Sequence, residues 1–404
     1  MLIRFLRRVI IFIGFLIFNP SVYSSNVSLT LWHNAIDAHS TLNWAAKKFQ
    51  IIHPNVDITV SKYPVEELKN KLIESSINQS TPDAILISSD LLGYTEMLDL
   101  SPVPLNYRTP HFYSPFDNLI QHNNYQFAIP IYIGNHLLMY YNQTLVEKPF
   151  TSFETLITTI DKDLEQQPPI VFWDNQMYWF ISVVNAFNGF PIINDKVKVN
   201  RAALAQSIMI YKQLFDAGMI SSECDLNCIM KRFHHEKTPY LIDGLWAYRK
   251  HESVLGKKLG VAVLPWVADK QLQSMRSAVV LAFPQQAIHS EKKEILKTFA
   301  LFLQSEQVQK QLYRDIGCIP IHQSVIETLF AEAEPEFKLI LNEYNRSLNL
   351  PPNLATVSMW PAFAKGLHFF IDGLLTASDA VLYIEDQIKR EHSKALHLNQ
   401  QLSD

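Results

Sequence analysis

No short catalytic motif occurs in this sequence: a phosphate loop, a dinucleotide-binding G-x-G-x-x-G, a nucleophile elbow G-x-S-x-G and a zinc-protease H-E-x-x-H are all missing. Catalysis would have to rest on carboxylate pairs that sequence alone does not place, so a secreted enzyme is kept only as a remote alternative. No catalytic residue and no cofactor is assigned. Cysteine is scarce as well, with three residues, too few for a disulfide framework. Cys224 and Cys228 are a candidate bridge in an oxidising compartment, because three intervening residues let their backbones reach bridging distance. His234 and His235 follow, but their spacing completes no zinc pattern, so no metal is assigned. Positive charge is also in short supply: 35 Lys and Arg face 39 Asp and Glu, a formal charge of −4. A nucleic-acid partner would want a basic patch, and none is visible.

What is present begins with Arg4, Arg7 and Arg8, the apolar run Val9 to Phe18 and the small-residue stretch Val22-Tyr23-Ser24-Ser25. That order predicts a secretory signal peptide over residues 1–24, removed after Ser24 or Ser25, with Val22 and Ser24 suiting the −3 and −1 positions of the cleavage site; the alternative is a retained N-terminal anchor. The run is short of the ~20 residues that span a bilayer. Its loss removes three arginines and no acids, taking the charge from −4 to −7. About 380 residues remain, enough for two domains with separate cores.

Along that remainder, Leu29 to Trp32 reads as a strand. Leu42, Ala45, Ala46 and Phe49 share one face of a helix capped by Ser40, and Val56, Ile58 and Val60 alternate as a second strand. A helix from Val65 to Ser76 leads through Thr81-Pro82-Asp83 into the apolar run Ala84 to Ile87, the pattern of a parallel strand covered on both faces. Ligands of open α/β sheets lie beyond the carboxyl ends of the strands, which puts His33-Asn34 and Ser89-Asp90 on one crevice. Further on, Phe127 to Tyr132 and Leu137 to Asn142 read as two strands meeting across Pro130, a crossover between lobes. Ile170 to Trp173 is an apolar run, and Tyr178 to Phe187 is a helix stopped by Asn188-Gly189. No linker or tandem repeat separates these segments.

In order, the segments resemble the bacterial extracellular solute-binding proteins of the maltose-binding type, the family 1 group. The match is carried by Trp44 to Phe49 with Pro54-Asn55-Val56, Thr81-Pro82-Asp83-Ala84-Ile85, Ile129-Pro130 and Tyr140-Tyr141-Asn142. Later landmarks are Asp243-Gly244-Leu245-Trp246, Leu264-Pro265 and Gly317-Cys318-Ile319-Pro320. The resemblance implies a two-lobed α/β periplasmic-binding-protein fold of type II, with interwoven lobes, a hinge and a ligand cleft between them. The N-terminal lobe is expected to hold residues 25–129 and 283–343, the C-terminal lobe 130–282 and 344–404. It further implies a periplasmic monomer that closes around a small molecule, a sugar or related polyol, and delivers it to the inner-membrane permease of an ABC importer.

Sugar sites pair stacking aromatic rings with side chains that hydrogen-bond in two directions. The resemblance puts Tyr178, Trp246 and Trp360 at the stacking positions, with Trp173 and Tyr248 nearby. Asp90 takes the acidic position after the third strand, and His33, Asn34 and Asp37 the first ligand loop. Tyr94, Tyr132 and Gln176 are further candidates, whereas Trp32 and Trp44 are expected in the core. This chain departs from the maltose pattern at Leu91, where an arginine is usual, at Gly134, where an acid is, and at Gln176, where a glutamate is. Two alternatives stay within the same fold: a glycerol-phosphate or other anion, for which Arg249 and Arg276 are the nearby candidates, and a ferric ion held by tyrosine and histidine, for which the Tyr140-Tyr141 pair and the fourteen histidines offer ligands.

Overall fold

The computed structural model describes residues 26–113, 120–122, 125–159, 172–173, 177–332 and 335–403. The segment read as a leader, the Ile170-Val171 stretch and Gln176 lie outside them. The chain opens with β1 (Val27–His33), which turns Leu29, Leu31 and His33 inward. Helix α1 (His39–Ile52) buries Leu42, Ala45, Ala46 and Phe49, the face their spacing predicts. Its cap is Ala38 rather than Ser40. Turn bonds from Ala38 and His39 back to the Ala35 and Ile36 carbonyls start helical geometry early, leaving Ser40 exposed in the first turn.

After β2 (Val56–Lys62) and α2 (Val65–Ile77), strand β3 (Ala84–Ser88) runs buried from Ala84 to Ile87. Strand β1 pairs in parallel with both β2 and β3, so β1 and β3 end at the same edge of the sheet. Strand β4 (Ala128–Gly134) is buried throughout and joins the same sheet. Pro130 lies inside this strand and not between two strands, as the sequence suggests. It is tolerated because the ladder slips there: Val279 faces Tyr132 while Val280 faces Pro130, leaving Ile131 as the extra residue of a bulge. The Ile131 carbonyl accepts instead from the buried Gln309 side chain, at 2.7 Å.

The chain leaves this sheet at Gly134, where φ is +146°, and Asn135, where φ is +54°. Glycine is the residue that accepts the first of these angles. Strand β5 (Leu137–Asn142) then starts a second, antiparallel sheet, followed by α3 (Met177–Ala186), α4 (Arg201–Asp216), β6 (Tyr240–Gly244), α5 (Tyr248–Leu255) and β7 (Leu259–Ala262), with β5 central between β6 and β7. The return is β8 (Met275–Ala282), antiparallel to both β3 and β4. Helix α6 (Glu306–Ile316), β9 (Ile319–Pro320), α7 (Pro335–Arg346) and β10 (Leu348–Asn349) complete the first sheet, whose order is β9-β4-β8-β3-β1-β2 with β10 beside β8. The last helices, α8 (Leu354–Ile371) and α9 (Ala377–Ser403), go back to the second body. There Met359, Phe363 and Leu367 pack with Phe180, Ala380, Ile384 and Ile388 in one apolar cluster.

Two sheets thus stand on separate cores: one gathers α1, β1 and α6 around Phe49, Leu86 and Phe299, the other gathers α3, α4, α8 and α9. A third cluster, from Leu68 and Ile87 to Phe233 and Tyr344, runs between them. No helix among the described residues is long and apolar enough to cross a membrane.

Candidate functional site

Between the two bodies lies a cavity of about 670 Å³. One wall comes from the strand ends of the first sheet. His33 and Leu86 are paired in register and the Asn34 amide donates to the Leu86 carbonyl, so the loops after β1 and β3 emerge side by side. They bring Asn34, Asp37, Ser88 and Asp90 to the cavity, and Tyr132 to Asn135 follow from β4. The opposite wall is aromatic: Tyr178 and Trp179 from the first turn of α3, Trp246 from the turn after β6, and Trp360 from α8. Trp246 folds back over the end of β6 because residue 244 is glycine; a Cβ there would stand 2.1 Å from the indole. Pro361, also lining the cavity, interrupts α8 by withholding the N–H that would bond to Val357, beside Trp360.

The rings touch one another. Tyr178 lies 6.0 Å from Trp246 at 67° and 6.2 Å from Trp360 at 36°, and Trp179 meets Trp246 edge to face at 6.1 Å. The Tyr178 hydroxyl donates to the Asn135 carbonyl and lies 3.2 Å from the Met275 carbonyl, at the two points where the chain passes between the sheets. The polar floor is tied together by Asn135, whose amide donates to the hydroxyls of Ser277, at 2.7 Å, and Ser88, at 3.2 Å. Burial pushes the Asp90 carboxyl above the usual range, partly offset by its hydrogen bond with Ser88. Asp37 is raised for the same reason, with Lys250 pulling the other way and Asp243 adding to the rise. Tyr132 and Tyr178 are held protonated by burial, Tyr178 also by the nearby Asp90 charge.

Of the sequence-derived candidates, Asn34, Asp37, Asp90, Tyr132, Tyr178, Trp246 and Trp360 meet on this cavity. His33 does not: it is fully buried behind the loop, with Nε2 3.0 Å from His39 Nδ1 and a pKa lowered to about 4 by burial and by His39. A strand-ending side chain points to the core or to the crevice according to the parity of its position, and here the parity is inward. Tyr94 packs with Met97, Leu354 and Val357 away from the cavity. Tyr248 is buried against Tyr140, with Arg249 over its ring at 5.3 Å. The backbone of Trp173 pairs with Ser221, its side chain lies outside the described residues, and so does Gln176. Cys224 and Cys228 form a disulfide, with Cα atoms 5.2 Å apart, and Leu226 between them lines the cavity.

Sequence reasoning missed Ser88, Asn135 and Trp179. The Gly134-Asn135 pair between two apolar runs was a usable turn signal for Asn135. Trp179 adjoins Tyr178 on α3, and its indole N–H donates to the Ile242 carbonyl at 2.7 Å, which fixes the ring between core and cavity. The departure at Gly134 also finds its reason: the positive φ required where β4 ends is hostile to an acidic side chain.

Two packed α/β bodies, joined by several chain passages and enclosing a cavity at the strand ends, define a two-lobed binding protein. The fold is that of the periplasmic binding proteins of maltose-binding type. One similar solved structure is the GacH receptor of Streptomyces glaucescens, determined unliganded and with acarbose or an acarbose homologue. It has a TM-score of 0.82 at 18% identity and covers 91% of this chain and 99% of that one. Another is the maltose/maltodextrin-binding domain MalE of Bdellovibrio bacteriovorus bound to maltotriose, with a TM-score of 0.80 at 19% identity, covering 90% of this chain and 99% of that one. A family profile described as bacterial extracellular solute-binding protein matches residues 44–338. The chain belongs to that family. No curated protein sequence matches it.

Proposed function

We propose that the chain is the ligand-capturing component of an ABC importer, exported to the periplasm by its N-terminal segment and taking up a sugar or related polyol. The observation that carries this reading is the joined aromatic surface of Tyr178, Trp246 and Trp360, set across one cavity from Asn34, Asp37 and Asp90. Apolar sugar faces suit the rings, and hydroxyl groups suit carboxylates and amides that accept or donate. The acarbose and maltotriose bound by the two similar structures agree with it. The anion reading is weakened because its two arginines are engaged elsewhere: Arg276 on Asn349 and the Tyr344 carbonyl, Arg249 on Glu252. The ferric reading loses Tyr140, which is buried with its hydroxyl on the Gly244 carbonyl at 3.0 Å.

The boundary expected at 129/130 falls within β4 and the one at 282/283 at the far end of β8, and both strands are paired to the first sheet. We therefore place the lobe passages at Asn135-His136, Ser274 and Ser347. A thermal-shift screen of sugars, polyols, phosphate esters and ferric ion tests the assignment. A ligand at a hundred times its Kd stabilises the folded chain by about 2.7 kcal/mol. At least one saccharide should do so in wild type, with most of that shift lost in Trp246→Ala. Stabilisation by anions or iron alone would overturn the sugar reading.

A further inference from the structure

Among the described residues, the side chains that line the cleft carry negative charge and no positive charge. Asp37, Glu66 and Asp90 line the cavity, and no lysine or arginine among the described residues does. Glu66, at the rim, is paired with Lys69. The charge of Lys250 acts on Asp37, but no ion pair joins the two among the described residues. Asp90 forms no salt bridge among the described residues; the Ser88 hydroxyl is its side-chain partner. Asp90 is half-buried on the cavity wall and so only partly in reach of water, and such a carboxylate is stabilised by a cation or by several donors that approach it from the cavity.

The aromatic wall points in the same direction. Tyr178, Trp246 and Trp360 meet at 67° and 36°, forming a corner rather than a flat platform. Aromatic faces carry partial negative charge and attract cations, tryptophan most strongly. Asp90 and Tyr178 line the same cavity and are linked through two residues: Ser88 is the hydrogen-bond partner of Asp90 and accepts from the Asn135 amide at 3.2 Å, and the Asn135 carbonyl accepts from the Tyr178 hydroxyl. A neutral hydroxyl would donate a hydrogen bond to Asp90 but leave its charge uncompensated. An ammonium group would donate the bond and also bring the opposite charge, while its cation meets the ring faces.

We infer that the ligand is a saccharide carrying a basic nitrogen, whose protonated amine sits between Asp90 and the Tyr178–Trp246–Trp360 corner. This rests on the sugar reading of the cleft.

The test compares three matched trisaccharides by titration calorimetry on the mature wild-type protein: the β-1,4-glucosamine trimer, its N-acetylated form and maltotriose. The expected result is roughly tenfold tighter binding of the amine form than of either neutral form, a preference that shrinks as salt is raised. In Asp90→Asn, the ratio of amine to neutral affinity should collapse towards one. Binding of a neutral trimer as tight as the amine form in wild type, or an unchanged ratio in Asp90→Asn, overturns the inference and leaves the sugar reading intact. Failure of all three, with no other amino or neutral saccharide binding, overturns both together.

Discussion

The Tyr178 hydroxyl offers a sharp test of how the site is held, because it works on the protein rather than on a ligand. Its one proton serves the carbonyl of Asn135 on the passage after β4 and lies 3.2 Å from the carbonyl of Met275 on the passage before β8. In Tyr178→Phe the ring, its contacts with Trp246 and Trp360, and the shape of the cavity all stay. Only the donor is lost. An intramolecular hydrogen bond contributes about 0.5–1.5 kcal/mol net, and an acceptor left unpaired out of water costs about 1–3 kcal/mol. Tyr178 is partly buried, so water recovers some of that cost, and the expected loss is about 1–2 kcal/mol in urea unfolding. Tyr178→Ala removes the ring as well and should cost about 3–5 kcal/mol, as large-to-small aromatic substitutions do. Any saccharide found in the screen should bind Tyr178→Phe within roughly threefold of wild type, since the hydroxyl has no proton to spare, a change under about 0.7 kcal/mol. A Phe variant as stable as wild type, or one that loses ligand as severely as the Ala variant, would refute this account of the hydroxyl.

Two further outcomes concern stability. Burial lowers the pKa of His33 to about 4 and of His136 to about 3, while the unfolded chain protonates both near the ordinary 6.5. Below that value the unfolded state takes up the protons first, so stability should be full near pH 7 and fall as pH drops towards about 4, by about 1.4 kcal/mol per unit for each group. Urea midpoints at pH 7, 6 and 5 measure it; a flat profile, or an unchanged slope in His33→Gln, contradicts the burial argument. The Cys224–Cys228 bridge closes a very short loop, so chain entropy assigns it only about 2 kcal/mol. The double alanine variant should lose about that much without reductant, and a loss near zero would show that the bridge does not form.

Much of the architecture was legible because it depends on local periodicity. The period-2 pattern of Val27 to His33, the one-sided spacing of Leu42, Ala45, Ala46 and Phe49, and the apolar run before Ser88 each specify an element and its buried face. Parallel strands with helical connections then bring Asn34 and Asp90 to one edge without reference to any distant residue. Pro130 was misleading for a definite reason: a missing N–H marks a break when the partner strand is unknown, but β4 stays paired with β8 through a bulge at Ile131, and Gln309 occupies the freed Ile131 carbonyl.

By itself, then, the sequence determined the secondary structure, the lobed class and the residue types that a ligand would meet, since these follow from patterns within a few turns of chain. Only the tertiary structure decided which of those residues share the cleft. His33 and Tyr248 were withdrawn into cores, Trp179 and Asn135 were brought forward, and Asp90 was left on the same cavity as the aromatic rings, which no lysine or arginine lines among the described residues. Those outcomes depend on how segments more than a hundred residues apart, such as Ser88 and Ser277, come to lie side by side, and that is set by sheet pairing and burial across the whole chain.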